Sequence, residues 1–140
     1  MKHLNYPIFY LNSEDIDSNG KIINRDIPKD LPVLVMIQSS NCHWCQKAKP
    51  EFQKFANNFG YYLRSNDNFK NLYEKYKKNV NKELVFVATA KPDDVNSNLF
   101  SKMDSNFQGF PHFVIYYKGD KHTYTGKRTA EGLKNFLERI

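Results

Sequence analysis

Cysteine is almost missing from this chain: Cys42 and Cys45 are the only two in 140 residues. So few exclude a disulfide-stapled secreted mini-domain and any zinc site built from four cysteines. Long apolar runs are missing too. No stretch reaches 18 apolar residues, so no membrane-spanning helix is expected. The opening residues are broken by Pro7, turn acidic at Glu14 and Asp15 and offer no small-residue cleavage site, which reads against a signal peptide. None of the 16 Asn residues heads an Asn-x-Ser/Thr sequon. A reducing, cytoplasmic setting is therefore the expectation, or a virion were the source viral. In such a setting two close cysteines point to redox or metal chemistry more than to a staple. Internal repeats, low-complexity tracts and linkers are absent as well.

What is present suffices for a core. A chain of 140 residues has the usual length of one domain and buries about 70% of the surface its unfolded form exposes. With 40% hydrophobic and 15% aromatic residues it is too rich in core-formers to be disordered. One domain over residues 1–140 is expected. The net charge of +6 comes mostly from 17 Lys, nearly matched by the 16 Asn, so codon composition accounts for it. Residues 70–82 carry five Lys against one Glu. They lack the aromatic interleaving of a nucleic-acid surface and read as a solvated helix face, so nucleic acid is not an expected partner.

The pattern alternates strands and helices. Ile8–Leu11 is a short strand, and Lys21–Asn24 a brief one after the Ser18-Asn19-Gly20 turn. Val33–Ile37 and Leu84–Ala90 are continuous apolar runs, the mark of strands buried on both faces. Ala48, Phe52, Phe55, Ala56 and Phe59 recur at helical spacing up to Gly60. Phe69, Leu72, Tyr73, Tyr76 and Val80 predict a second helix, and Asp93–Met103 a third. Phe113–Tyr117 and His122–Thr125 read as a hairpin. A last helix, capped by Thr129, carries Leu133, Phe136, Leu137 and Ile140 on one stripe. This order predicts an α/β sandwich with a mixed central sheet.

Cys42-His43-Trp44-Cys45 stands where a buried strand gives way to an amphipathic helix. The first turn of a helix offers unpaired N–H groups and a positive dipole end, which favour a thiolate on Cys42. Lowering a thiol pKa from about 8.5 to about 7 takes only ~2 kcal/mol. Cys45, one turn further in, is placed to attack a mixed disulfide formed by Cys42. As a staple the pair would contribute little: closing so short a loop is worth about 2 kcal/mol, against about 4.7 for a loop of 100 residues. A metal would need two more ligands. His3, His112 and His122 form no second Cys-x-x-Cys or His-x-x-x-His pattern, so no metal site is expected.

These features, in this order, resemble the thioredoxin superfamily. Pro50 follows the second cysteine by five residues, where that family's helix is kinked. Gly109-Phe110-Pro111 matches its cis-proline loop, and Gly126 its turn before the final helix. The resemblance covers residues 32–140 well and 1–31 loosely. It implies a thioredoxin-like three-layer α/β/α sandwich with a mixed sheet, here with an inserted helix around residues 68–80. It implies a thiol–disulfide oxidoreductase whose redox-active disulfide joins Cys42, the exposed nucleophile, and Cys45, the resolving thiol. Phe110 and Pro111 would hold an extended substrate segment. The implied partners are protein thiols and disulfides, with an upstream reductase or sulfhydryl oxidase, and no cofactor is implied.

The sequence also departs from that family. The buried acid six residues before the first cysteine is replaced by Met36, which leaves deprotonation of Cys45 to water or another group. Asn41 stands where a tryptophan usually precedes the motif, and Trp44 lies inside it. His43, if cationic, would favour the Cys42 thiolate, and the other reading is an exposed residue of little effect. Trp44 reads as a substrate-contact surface, with packing on the cis-proline loop as its alternative. His112 reads as structural. The competing reading of the whole chain is a thioredoxin-fold binding module, of virion type, with incidental cysteines and no catalytic role.

Overall fold

The computed structural model describes residues 3–28, 30–61 and 85–140. Five strands make one sheet: β1 (Phe9–Tyr10), β2 (Val33–Ile37), β3 (Phe86–Ala90), β4 (His112–Tyr117) and β5 (Asp120–Tyr124). Their spatial order is β1-β3-β2-β4-β5. β3 runs parallel to both β1 and β2, and β4 is antiparallel to β2 and β5. The sheet is therefore mixed, as expected. Every residue of β2 and β3 is buried, because both faces of the sheet are covered.

The pleat sorts the central side chains between two apolar clusters. Leu34 and Met36 of β2 face α1 (His43–Phe59) and the last helix, with Phe52, Phe55, Leu133 and Leu137. Val35 and Ile37 face the other way, onto Phe100 and Met103 of α2 (Phe100–Met103). That second cluster also takes Leu11, Ile16 and Ile27 from the N-terminal segment. The helix α3 (Ala130–Arg139) starts at Thr129, whose hydroxyl accepts the Gly132 N–H at 3.0 Å. The expected stripe holds: Leu133 and Leu137 are buried, with Phe136 and Ile140 packed beside them.

Local chemistry set several boundaries. Lys118 (φ 52°) and Gly119 (φ 81°) form a two-residue hairpin turn with both residues left-handed, so β5 begins at Asp120 rather than His122. Gly20 (φ 82°) packs so closely on the backbone of Lys102 that a Cβ would collide with it. The expected strand at Lys21–Asn24 is reduced to one bridge between Ile16 and Ile22. The helix expected over Asp93–Met103 forms only in its second half. A short 3-10 turn, Ser97–Leu99, precedes α2, and the Asn96 side chain accepts the Asn98 N–H at 3.0 Å. Asn competes locally with helical bonding in this way. The helix expected around residues 68–80 and the basic run over residues 70–82 lie outside the described residues. No described helix is long and apolar enough to cross a membrane.

Candidate active site

β2 ends at Ile37, and the chain continues as an extension of the sheet, with the Gln38 N–H bonded to Ala90 O at 2.9 Å. A short loop then delivers Cys42 to the N-cap of α1. Its backbone is extended (φ −92°, ψ 116°), and its Sγ accepts the Cys45 N–H at 3.1 Å. The Cys42 carbonyl takes the first helical bond, from Gln46 N at 3.1 Å. No acidic residue occupies the first turn of α1. The positive end of the helix dipole at Cys42 is therefore not offset locally, and negative charge on its sulfur is favoured.

Cys42 and Cys45 are joined as a disulfide, with Cα atoms 5.1 Å apart. The two sulfurs are unequal in access, because Cys42 is half-buried and Cys45 fully buried. Trp44 is 58% exposed, the most open of the large apolar side chains among the described residues. His43 meets it edge-on with ring centroids 5.2 Å apart, and Lys47 Nζ sits 5.9 Å from the indole centroid. Trp44 therefore stands on the outer surface beside the disulfide and not in a core.

The Phe110–Pro111 peptide is cis. Ile37 pairs with His112 in the β2–β4 ladder, so Pro111 comes alongside the segment that leads from β2 to Cys42. Pro111 is buried, while Phe110 is half-buried against Phe100 and Phe107, at 6.0 and 5.5 Å between centroids. The sheet thus brings together Cys42, His43, Trp44, Cys45, Phe110 and Pro111 at one end of the molecule, although they are far apart in sequence.

Met36 is buried among Leu34, Phe52 and Phe113, so the site lacks a carboxylate at that position. The neighbouring polar atoms are neutral: Thr89 Oγ1 donates to Met36 O and accepts from Gln38 Nε2, both at 2.8 Å. Two groups near this end escaped sequence reasoning. Lys49 is almost wholly buried; burial first, then the charge of Lys91, lowers its pKa. Asp104 is buried beside His112, whose Nε2 lies 2.8 Å from its Oδ2. The only sequence signal for this second pair was the position of His112 directly after the proline. Among the described residues no group of three or more His, Cys, Asp and Glu side chains is placed to hold a metal.

Comparison with known structures matches this fold to thioredoxin domains. The first thioredoxin domain of mouse protein disulfide-isomerase A4 superposes with a TM-score of 0.59 at 20% identity, covering 98% of this chain and 77% of that one. The fold is the thioredoxin fold. Human ERp44 form I superposes on 98% of this thioredoxin-like chain with a TM-score of 0.60 at 17% identity. The J-Trx1 fragment of ERdj5 does so on 94%, with a TM-score of 0.57 at 16% identity. The chain spans only half the length of the ERdj5 fragment and 30% of ERp44. In sequence it is 29% identical over 124 residues to the thioredoxin-like protein 453L of Invertebrate iridescent virus 6, covering 86% of this chain and 83% of that protein. No family model matches the chain.

Proposed function

We propose that this thioredoxin-like chain is a thiol–disulfide oxidoreductase that exchanges disulfides with protein substrates through Cys42 and Cys45. The observation that carries the reading is the asymmetric disulfide at the N-cap of α1. One sulfur is accessible and held by a backbone N–H, and the other is buried one turn inward. In the reducing direction, the Cys42 thiolate attacks a substrate disulfide, forms a mixed disulfide and releases one substrate thiolate. Cys45 then loses its proton and attacks Cys42 Sγ. That closes the Cys42–Cys45 disulfide and expels the second substrate thiolate. The oxidising direction is the reverse of these steps.

The remaining residues take supporting roles in this reading. Trp44 offers an exposed apolar face to the substrate, Phe110 and Pro111 border an extended substrate segment, and His43 tunes the thiolate. Partners are protein thiols and disulfides, with an upstream reductase or sulfhydryl oxidase to reset the pair, in a cytoplasmic or virion setting. The decisive experiment compares wild type with Cys42→Ser in insulin disulfide reduction and in oxidation of a reduced test protein. The variant should lose both activities, and unchanged rates would sink the reading. The potential of the pair in a glutathione buffer assigns the direction. A value near about −270 mV marks a reductase, and one between about −180 and −120 mV an isomerase or oxidant.

A further inference from the structure

The sheet has a second end, away from the disulfide. Val33, Phe86 and Tyr116 pair across it, and Tyr116 pairs in turn with Lys121. Four residues of β2, about 13 Å at the rise of a strand, separate Val33 there from Ile37 beside the redox turn. A cavity of about 700 Å³ opens at this end, between residues 19–28 of the N-terminal segment and the β4–β5 turn. That volume lies within the range of ligand sites. Its walls are tied together through α2. Tyr116 OH donates to Met103 O at 2.8 Å, Lys121 Nζ to Lys102 O at 2.9 Å and Lys102 Nζ to Ser18 O at 3.1 Å. Gly20 lies against the Lys102 backbone from the other side.

The lining combines an apolar floor with a basic rim. Ile27 and Val33 are buried in it, and Ile22 and Leu31 are half-buried. Ile23 is 50% exposed, one of three large apolar side chains so open among the described residues. Lys21, Arg25, Lys118 and Lys121 line the cavity against one carboxylate, Asp120. Lys121 holds Lys102 O, and Lys118 Nζ stands 5.2 Å from the Tyr117 ring centroid. Among the described residues no carboxylate forms an ion pair with any of the four cations. Asp17, Asp26 and Asp30 are their neighbours in sequence but not in the lining, and Asp17 Oδ1 accepts the Asn19 and Lys21 N–H groups at 2.9 Å. The excess of positive charge suits an anionic partner, and the aliphatic floor suits one with an apolar side chain. Bases of a nucleic acid would need open aromatic faces. Here the Tyr116 hydroxyl is held by Met103 and Lys118 stands over Tyr117.

We propose that this cavity docks an acidic segment of a partner protein. An apolar side chain of that segment rests on Ile22, Ile23 and Ile27, and flanking Asp or Glu carboxylates meet Lys21 and Arg25. The site is separate from the redox turn and does not depend on the exchange reading above. Cysteine-free peptides of eight residues, with a central Leu or Phe flanked by Glu, test it by calorimetry at low salt beside matched peptides with Gln flanks. The better Glu peptide should bind about tenfold tighter than its Gln counterpart, the scale of a hydrogen bond to a charged group. That ratio should shrink with added salt. Arg25→Gln and Lys21→Gln, both at exposed positions, should each lower it severalfold, and Ile23→Ser should weaken both peptides alike. Lys54→Gln, exposed on α1, should leave it unchanged. Equal binding of Glu and Gln peptides would overturn the proposal, as would a ratio undiminished in both Arg25→Gln and Lys21→Gln. A ratio that Lys54→Gln lowers as far as Arg25→Gln does would mean unspecific charge attraction and overturn it too. Two other occupants have their own signatures, and either would replace the proposal. Self-association of the wild type in sedimentation, dispersed by Ile23→Ser, would assign the face to a second copy. A single-stranded oligonucleotide bound more tightly than any peptide, and released by Arg25→Gln, would assign it to nucleic acid.

Discussion

Asp104 Oδ2 receives two side-chain partners at once, His112 Nε2 at 2.8 Å and Thr123 Oγ1 at 2.6 Å. The Asn106 N–H bonds its other oxygen at 3.1 Å. These contacts tie both ends of the loop that carries Phe107, Phe110 and Pro111, and they tie it to β5. A loop that borders the redox turn is thereby fixed from behind by a single buried carboxylate.

Stability at acid pH should depend on that carboxylate. Burial, the largest single influence, pushes the Asp104 pKa up. The bonds from Thr123, His112 and Asn106 and the charge of His112 together outweigh it and hold the carboxyl below its usual range. A depressed folded-state value contributes stability above the unfolded pKa and loses it as pH falls toward the folded one. Wild-type stability should therefore start to decline below about pH 4. Asp104→Asn should lack that component of the decline and be less stable at pH 7 by about 1–3 kcal/mol. Urea unfolding of both proteins between neutral and acid pH measures each effect.

Replacing the buried cysteine should arrest exchange after its first step. Cys45→Ser keeps the accessible nucleophile but removes the resolving thiol, so a mixed disulfide with substrate should accumulate. Non-reducing electrophoresis reads this directly, and Cys42→Ser should give no such adduct.

Trp44 should matter for substrate and hardly at all for folding. Its ring is 58% exposed, so Trp44→Ala should change stability by no more than about 0.5 kcal/mol. In a protein-disulfide assay the same variant should raise KM severalfold. A large loss of stability with KM unchanged would mean that the ring serves packing.

Lys118 adopts φ 52° in the β4–β5 turn, a conformation that costs a non-glycine residue roughly 1 kcal/mol and that Asn tolerates better. Lys118→Asn should therefore stabilise the protein by about 0.5 kcal/mol, seen as a small rise in Tm. The turn follows the end of β4 that pairs with Val33, opposite the His112 end beside the redox turn, so exchange rates should not move.

Elements that depend on local pattern were legible in the sequence. The buried run Val33–Ile37, the stop at Gly60 and the cap at Thr129 each follow from residue type and spacing, and all were found where expected. The start of the active-site helix was legible because Cys-x-x-Cys followed a buried strand. What escaped was long-range. Nothing near Asp104 announces that Thr123 will meet it, since that contact requires the β4–β5 register. Lys49 reads as one more lysine of a basic chain until the sheet closes over it. The helix expected from Asp93 was cut short by a side chain, Asn96, whose competing bond periodicity does not register.

Residues 1–31 matched the family pattern loosely, which invites treating them as dispensable when shorter versions are made. Leu11, Ile16 and Ile27 argue otherwise, since they are 0, 5 and 7% exposed within the cluster that covers one face of the sheet. β1 also occupies one edge of the sheet, paired to β3. A version trimmed to begin at Pro32 would uncover that edge together with a face of Val35, Ile37 and Ala88. It would leave the cysteine motif intact on a scaffold prone to self-association.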